Sequence, residues 1–173
     1  MDYILTKEVN NLKEIYKIIC TQIKSSIFIY LGFNFFKRMV LDNIIHIYTI
    51  KKYKKISAVV TVIEFKNYKL INKKIFYYLI NNPLIFIKSF GFLLISLKKK
   101  SNLHINKNYL HLLHLIIFKK KFLNITIKKK DLILNEFYKK ILKTYKAKYF
   151  FLCFEKNNIK AYKYYKRNNF IIF

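Results

Sequence analysis

The sequence predicts a mixed α/β fold in which short strands alternate with amphipathic helices around one core. The 173 residues are 54% hydrophobic and 18% aromatic, which is too apolar for a disordered chain and long enough for one substantial core. Gly32, Gly91 and Pro83 are the only glycines and the only proline, so no Gly/Pro-rich linker divides residues 1–173. We therefore expect a single domain.

The first part of the chain predicts a strand, two helices and a β-hairpin. The alternating stretch "DYILT" is typical of a strand, and "KEVNNLKEIYKIICTQIKS" predicts a helix because its apolar residues recur at helical spacing. A second helix is expected in "LGFNFFKRMVLDNI", entered through Gly32. The β-branched runs "IIHIYTIK" and "KISAVVTVIEF" predict two strands joined by a turn at "KKYKK".

The rest of the chain predicts a helical insertion followed by strands that alternate with helices. Two helical pieces separated at Pro83 are expected in "NKKIFYYLINNPLIFIKSFGFLLISLKKK", and "NYLHLLHLIIF" predicts a buried strand. An apolar stripe then predicts a helix; its members are Ile127, Leu132, Ile133, Phe137, Ile141 and Leu142. The strand "AKYFFLCFE", a helix in "NNIKAYKYYKRN" capped by Asn157 or Asn158, and a last strand "FIIF" complete the order βααββ, insertion, βαβαβ.

The net charge of +27 favours an anionic partner, but residue usage weakens that inference. Arg38 and Arg167 are the only arginines, whereas interfaces that read nucleic-acid sequence favour Arg for its bidentate fork. The residues in excess are those encoded by A/T-rich codons. Genome composition is therefore the first explanation of the charge, an anionic ligand the second and nucleic acid the third.

Cysteine usage and hydropathy predict a cytoplasmic protein without a membrane span. Cys20 and Cys153 are too few and too far apart for a disulfide scaffold, and neither lies in a C-x-x-C spacing. The N-terminus lacks the apolar core of a signal peptide. The most apolar run, residues 83–97, contains Lys88 and is shorter than the ~20 residues that a spanning helix needs, so it predicts a buried or interfacial helix.

The stretch "FFLCFEKNNIKAYKYYKRNNF" resembles the C-terminal motif of the GNAT superfamily of N-acetyltransferases, N-x-x-A-x-x-F-Y-x-x-x-G-F after a hydrophobic strand. The motif aligns from Asn158 to Phe170 without a gap, with Tyr164 in place of Phe and Asn169 in place of Gly. Asn adopts positive φ more readily than most non-glycine residues, so the second replacement is physically mild.

Two further stretches extend the resemblance over nearly the whole chain. "HLLHLIIFKKKF" is similar to the family's fourth strand, and "LGFNFFKRM" is similar to the early helix of members with a helical insertion before that strand. The resemblance implies a mixed, mostly antiparallel sheet with helices on both faces. It also implies transfer of an acetyl group from acetyl-CoA, as co-substrate, to an amine of a small molecule or a protein by direct attack. Residues 66–107 would then shape the acceptor pocket.

The chain departs from the family at the loop after the fourth strand. There the family has Q/R-x-x-G-x-G/A, whose backbone N–H groups bind the pyrophosphate of acetyl-CoA, and this chain has "LNITIKK". Leu123, Thr126 and Lys128 occupy the Gln/Arg, Gly and Gly/Ala positions. The Thr126 hydroxyl and the charges of Lys128 and Lys129 would act in place of the glycines.

The resemblance also assigns the remaining cofactor contacts. Ile116, Ile117 and Phe118 would present backbone groups to the pantetheine arm, and Asn124 lies among lysines that would bind phosphate. Asn158 would touch the cofactor arm or cap the last helix, and capping is the favoured role.

Two residues are candidates for catalysis. Tyr165 occupies the position of the tyrosine that protonates the leaving thiolate, and the alternative is a core aromatic. His111 occupies a place where many relatives have Glu, so it would orient or deprotonate the amine, with an imidazole that titrates near neutral pH; the alternative is a hydrogen-bonded sheet histidine. His114 lies three residues further along a regular strand, so we expect the two rings on opposite faces. No Cys, Asp or Glu joins them at ligand spacing, and no metal site is predicted.

Other functions remain open at this point. The missing glycines, and an end at Phe173 where members continue into another strand, are compatible with a catalytically inactive GNAT-fold protein, or with a homodimer in which a partner completes the sheet. A basic nucleic-acid-binding module is the third alternative, although no nucleic-acid fold motif supports it.

Overall fold

The computed structural model describes residues 3–24, 26–88, 109–118, 125–152 and 158–170. Its strands are β1 (Tyr3–Lys7), β2 (Ile45–Lys52), β3 (Lys55–Glu64), β4 (Tyr109–Ile117) and β5 (Tyr149–Phe151). Its helices are α1 (Leu12–Gln22), α2 (Phe28–Leu41), α3 (Tyr68–Ile80), α4 (Ile127–Thr144) and α5 (Ile159–Arg167). A short 3₁₀ helix, Phe65–Asn67, precedes α3, and residues 83–88 are helical.

The strands form one sheet in the order β1-β2-β3-β4-β5. The first three pairings are antiparallel, and β4 pairs with β5 in parallel. The parallel pair is joined through α4, as a parallel connection requires. The prediction of a mixed, mostly antiparallel sheet is confirmed.

Helices cover both faces of this sheet. On what we call the α1/α2 face, side chains of β2, β3 and β4 pack against α1, α2 and α3; the buried sheet residues include Ile45, Ile47, Val59, Ile63 and Ile116. On the opposite α4 face they pack against α4; the buried sheet residues include Tyr48, Ile50, Val60, Leu110 and Leu112. Each face is a separate apolar cluster with the sheet between them.

The turn between β2 and β3 is set by two consecutive left-handed residues. Tyr53 has φ 49° and Lys54 has φ 63°. Positive φ at both central residues defines the tight turn whose twist matches a two-stranded hairpin. The predicted hairpin at "KKYKK" is confirmed.

A β-bulge interrupts the pairing of β3 with β4. Thr61 pairs with His114 but Val62 pairs with Leu112, so Leu113 is an extra residue on β4. Side chains of a regular strand alternate between its two faces. One extra residue breaks this alternation, so the residues after the bulge face the side opposite to the one that regular alternation would give them. Leu110 and Leu112 accordingly face α4 before the bulge, whereas Leu115 and Ile117 face α4 after it.

Three helices end in left-handed residues that are not glycine. These residues are Asn43 (φ 54°), Lys146 (φ 51°) and Asn169 (φ 59°). At the end of α5, the N–H of Phe170 donates to the carbonyl of Tyr165 at 3.0 Å, and the two rings pack 5.1 Å apart. This is a Schellman motif with its hydrophobic contact. Asn169 thus adopts the conformation expected of the glycine that it replaces.

Some boundaries differ from the prediction. Gly32, with φ 80° and ψ 170°, is a non-helical kink that only glycine adopts without strain, so the main part of α2 is entered through Gly32 as predicted, although α2 also extends back to Phe28. Within α4, Ile127 and Leu132 are exposed, while Leu134 is fully buried. The predicted stripe therefore lay partly on the wrong side of the helix.

Other predictions fall partly outside the described residues. The described β5 is shorter than "AKYFFLCFE", and residues 89–97, Cys153 and residues 171–173 of the predicted last strand lie outside the described ranges. In the described part of the chain, no helix has both the length and the hydropathy needed to cross a membrane.

Candidate functional site

The centre of the candidate site is the second half of β4, one edge of which has no strand partner among the described residues; we call it the open edge. The described part of the ladder between β4 and β5 runs from Tyr109 and Tyr149 to His111 and Phe151. Beyond His111, β4 continues to Ile117, paired with β3 alone among the described residues. Its other edge therefore presents backbone N–H and C=O groups that can pair with an extended ligand.

The ladder with β3 shows which backbone groups face that edge. The N–H of Phe118 donates to the carbonyl of Ser57 at 3.0 Å. Alternate residues of an antiparallel strand direct both backbone groups to opposite sides, so Ile116 and Phe118 turn toward β3. Leu115 and Ile117 turn toward the open edge. Of the three predicted backbone contacts, the geometry favours Ile117, and it adds Leu115.

His111 and His114 lie on the same face of the sheet, contrary to the expectation from a regular strand. His111 pairs with Ile63 and His114 pairs with Thr61, two residues apart on β3. The two histidines are three residues apart, but the bulge at Leu113 takes up one of these residues, so both rings face α1 and α2. The two imidazoles are close enough for the charge of His111 to lower the pKa of His114.

His114 is held in place by hydroxyl groups from two other elements. Its Nδ1 lies 2.7 Å from the Thr61 hydroxyl and its Nε2 lies 3.2 Å from the Ser26 hydroxyl, and all three residues are buried. Burial, with a smaller contribution from His111, lowers the pKa of His114 to about 3. This ring is therefore neutral at physiological pH and links β4 to β3 and to the segment before α2.

His111 packs against the ring of Phe151 on β5, with centroids 5.4 Å apart. Burial lowers its pKa to about 4. The expectation that this imidazole titrates near neutral pH is wrong, because the sheet and its helices desolvate the ring. At pH 7 His111 is a neutral group, suited to orienting an amine by a hydrogen bond rather than to storing its proton.

Tyr165 is a buried residue of α5 whose phenol is protonated at neutral pH. Its ring is 9% exposed and lies 5.3 Å from that of Tyr164 and 5.1 Å from that of Phe170. Burial raises the pKa of its phenol to about 12. The protonated phenol is compatible with a general acid, and the packed ring is compatible with a core aromatic residue. The geometry agrees with both roles.

The side chains of Asn158 and Thr126 cap helices. The Asn158 side chain accepts a hydrogen bond from the N–H of Ala161 at 3.0 Å, as favoured from the sequence. The Thr126 hydroxyl accepts one from the N–H of Lys129 at 3.3 Å at the start of α4. Thr126 has φ −61° and ψ 151°, an ordinary extended conformation, so the backbone needs no glycine at this position.

The first turn of α4 contains three consecutive lysines, residues 128–130, and no acidic residue. Lys128 and Lys129 are exposed there. A helix N-terminus already carries partial positive charge, so these lysines make the start of α4 attractive to an anion. The loop residues Leu123 and Asn124 lie outside the described residues.

Polar contacts join α4 to α5 along their length. Asp131 is buried and accepts hydrogen bonds from Arg167, at 2.5 Å from Nε and 3.4 Å from Nη2. The hydroxyls of Tyr138 and Tyr164 lie 2.8 Å apart. This contact fixes the helix that carries Tyr165 to the helix whose first turn carries the lysines.

Sequence reasoning missed Ser26, Thr61, Leu113 and Leu115. These residues matter because of strand register and contacts between residues distant in sequence, and no local sequence pattern predicts either. One surface groove lies between α2 and α3 and another beside α1 and the β2–β3 turn; neither is lined by His111 or Tyr165. Among the described residues, no cluster of three or more His, Cys, Asp or Glu is placed to hold a metal ion.

No protein-family model matches the chain, and no curated protein matches it at a significant level.

Proposed function

We propose that this chain is an acyl-CoA-dependent N-acetyltransferase of GNAT type that transfers the acetyl group of acetyl-CoA to an amine. The observation that carries the proposal is the open edge of β4, which begins where the short parallel pairing with β5 ends. The C-terminal motif from Asn158 to Phe170 supports it, since the capping role of Asn158 and the left-handed Asn169 fit the motif physically.

The open edge suits the pantetheine arm of acetyl-CoA. This arm is extended and contains two amide groups, so it can bind as an added strand does, by backbone hydrogen bonds. Leu115 and Ile117 are the residues whose N–H and C=O groups are directed to this side. The thioester would then lie near His111, where β4 and β5 stop pairing.

The first turn of α4 suits the phosphates of the cofactor. Lys128 and Lys129 supply charge, and the N–H groups of Ile127 and Lys128, which have no intrahelical partner, supply donors. The Thr126 hydroxyl accepts a bond from Lys129 but retains its own hydrogen to donate. Charge from side chains would thus perform the task that a glycine-rich loop performs in the family.

The chemistry is a direct transfer. The amine nitrogen attacks the thioester carbonyl, the C–N bond forms, and the C–S bond then breaks. The amine loses one proton to solvent while neutral His111 holds it in orientation. The thiolate of coenzyme A gains one proton, from Tyr165 in this proposal, and Tyr165 regains it from water.

Acetyl-CoA binding by calorimetry at low and moderate salt tests the proposal, with coenzyme A and a short single-stranded DNA as comparison ligands. We expect binding of acetyl-CoA in the micromolar range that survives moderate salt. Replacing Lys128 and Lys129 by Gln should weaken it about tenfold, which corresponds to ~1.4 kcal/mol. The matched control replaces Lys139 and Lys143, two exposed lysines of the same helix, and should leave affinity unchanged.

The outcomes separate the alternatives. Absence of acetyl-CoA binding would leave a fold without its cofactor site. DNA binding that falls steeply with salt would favour the nucleic-acid alternative. If binding holds, Tyr165→Phe should lower the rate of acetyl transfer about 100-fold without changing acetyl-CoA affinity. Tyr162→Phe, at an exposed tyrosine of the same helix, is the control.

A further inference from the structure

A groove between α2 and α3 contains one of the two arginines of the chain. Its volume is about 270 Å³, and the lining residues used below are Phe35, Arg38, Lys74, Tyr77 and Tyr78. Helix α3 belongs to the insertion before β4, and the groove borders the α1/α2 face, toward which His111 is also directed.

The other arginine shows what this chain uses arginine for. Its 35 basic residues include only Arg38 and Arg167, so lysine serves almost everywhere. Arg167 lies where lysine would not serve, because its Nε and Nη2 both donate to the buried carboxylate of Asp131. Such a two-point contact with an oxyanion needs a planar guanidinium.

Among the described residues, Arg38 has no comparable partner: no ion pair there engages it. It is exposed in the last turn of α2, where a positive charge favours the helix dipole, but a lysine at this position would supply that charge equally well. In the groove, Lys74 is paired with Asp42. Within the described part of the chain, the Arg38 guanidinium is thus a cation of the groove without an ion-pair partner.

Aromatic rings line the same groove as this cation. Tyr78 packs on Phe35 with ring centroids 4.8 Å apart, and Tyr77 is 54% exposed. The turn after α3 is fixed, since the amides of Asn81 and Asn82 donate to the carbonyls of Tyr77 and Tyr78 at 2.9 and 2.7 Å. A cation and rings in one groove, near the lower size limit of ligand clefts, suit a small ligand with an oxyanion and an apolar body.

We propose that this groove binds a small molecule through a carboxylate or phosphate held by Arg38, with its apolar part against Tyr77 and Tyr78. This binding site does not depend on the proposed acetyl transfer. Binding at Arg38 itself can be measured without acetyl-CoA.

The two arginines make the test direct. In a ¹⁵N-labelled sample, the side-chain Nε–Hε signals belong to Arg38 and Arg167 alone, and Arg38→Lys assigns them. Benzoate and phenyl phosphate serve as carboxylate and phosphate probes, with benzyl alcohol as the uncharged control. We expect one of the two anions to shift the Arg38 signal saturably, with a Kd of about 1 mM, while the Arg167 signal stays in place.

Variants make the result decisive. Arg38→Gln should abolish binding, and Arg38→Lys should weaken it about tenfold, as read from the backbone amides of Tyr77 and Tyr78. Lys37→Gln removes an equal charge one residue away and should not change affinity. Equal shifts of both arginine signals, no shift up to about 10 mM, or equal effects of Lys37→Gln and Arg38→Gln would overturn the proposal.

The two proposals fail separately. Anion binding at Arg38 without acetyl-CoA binding would keep the groove and remove the acetyltransferase. Acetyl-CoA binding without anion binding at Arg38 would keep the enzyme and remove this anion site.

Discussion

His111 and His114 show at the residue scale how burial changes what a side chain can do. From the sequence each imidazole has an ordinary pKa near 6.5, and in the fold the pKa values fall to about 4 and about 3. The unfolded chain therefore binds more protons than the folded chain at mildly acidic pH. Their contribution to stability is fully present above about pH 6.5 and is lost as the pH falls toward these folded-state values.

The first prediction concerns this pH dependence. We expect the urea midpoint of the native chain to decrease as the pH is lowered from about 7.5 to about 4.5. The free energy of unfolding should decrease by up to ~1.4 kcal/mol per pH unit for each histidine. His114→Asn keeps a polar group beside Thr61 and Ser26 but cannot titrate. It should be less stable at neutral pH and lose less on acidification. An unchanged slope would mean that His114 is not the titrating group; His46, whose pKa burial also lowers, is the next candidate.

The second prediction concerns Asn169, whose φ of 59° ends α5. Replacement by Ala should reduce the free energy of unfolding by about 1 kcal/mol, because a Cβ without a local hydrogen-bonding group is strained in this conformation. Replacement by Gly should change it by less than about 0.5 kcal/mol, since relief of strain is offset by a more flexible unfolded chain. Denaturant unfolding measures both, with Lys163→Ala on the exposed side of α5 as control. Equal effects of Ala and Gly would contradict the strain argument.

At the scale of elements, the sequence predicts that β4 is a strand but does not predict its bulge. The apolar run from Tyr109 to Ile117 suffices to predict a strand. The bulge at Leu113 has no local sign, because a run buried on both faces has no alternation to break. The facing of the histidines, and hence part of the candidate site, depends on that single inserted residue.

Deletion of Leu113 tests the bulge assignment. Without the extra residue, Leu112 is followed directly by His114, so regular alternation keeps the faces and the partners of both halves of β4. We therefore expect a cooperative unfolding transition by circular dichroism and a loss of only about 1–2 kcal/mol, close to that of Leu113→Ala, since this side chain is half-buried. Deletion of Leu115, a regular residue, would force either His114 or Ile116 and Ile117 onto the wrong face and should cost more than about 4 kcal/mol. Similar effects of the two deletions would argue against a bulge at Leu113.

At the scale of the whole molecule, local pattern predicts the elements and long-range pairing determines the site. The hairpin, the long helix after β4 and the cap at Asn158 follow from turn chemistry, helical spacing and side-chain capping. The contacts of Ser26 with His114 and of Asp131 with Arg167 join residues distant in sequence, so they follow only from the assembled sheet and helices. For α4, the predicted apolar face was rotated around the helix axis relative to the buried face. Ile127 and Leu132 are exposed although they are as apolar as the buried Leu134, so the sequence does not distinguish them.

The pairing of β5 with β4 also bears on local stability. Strands β1 to β4 form antiparallel ladders of five or more residue pairs, whereas the described part of the parallel ladder joins three pairs, from Tyr109 and Tyr149 to His111 and Phe151. In native-state hydrogen exchange, we expect the amides of β5 to exchange at least about tenfold faster than those of β2 and β3, through an opening that leaves the rest folded. A ligand bound along β4 would slow that opening. Exchange at one common rate would instead mean that the sheet opens only as a whole, and that β4 and β5 part only when the molecule unfolds.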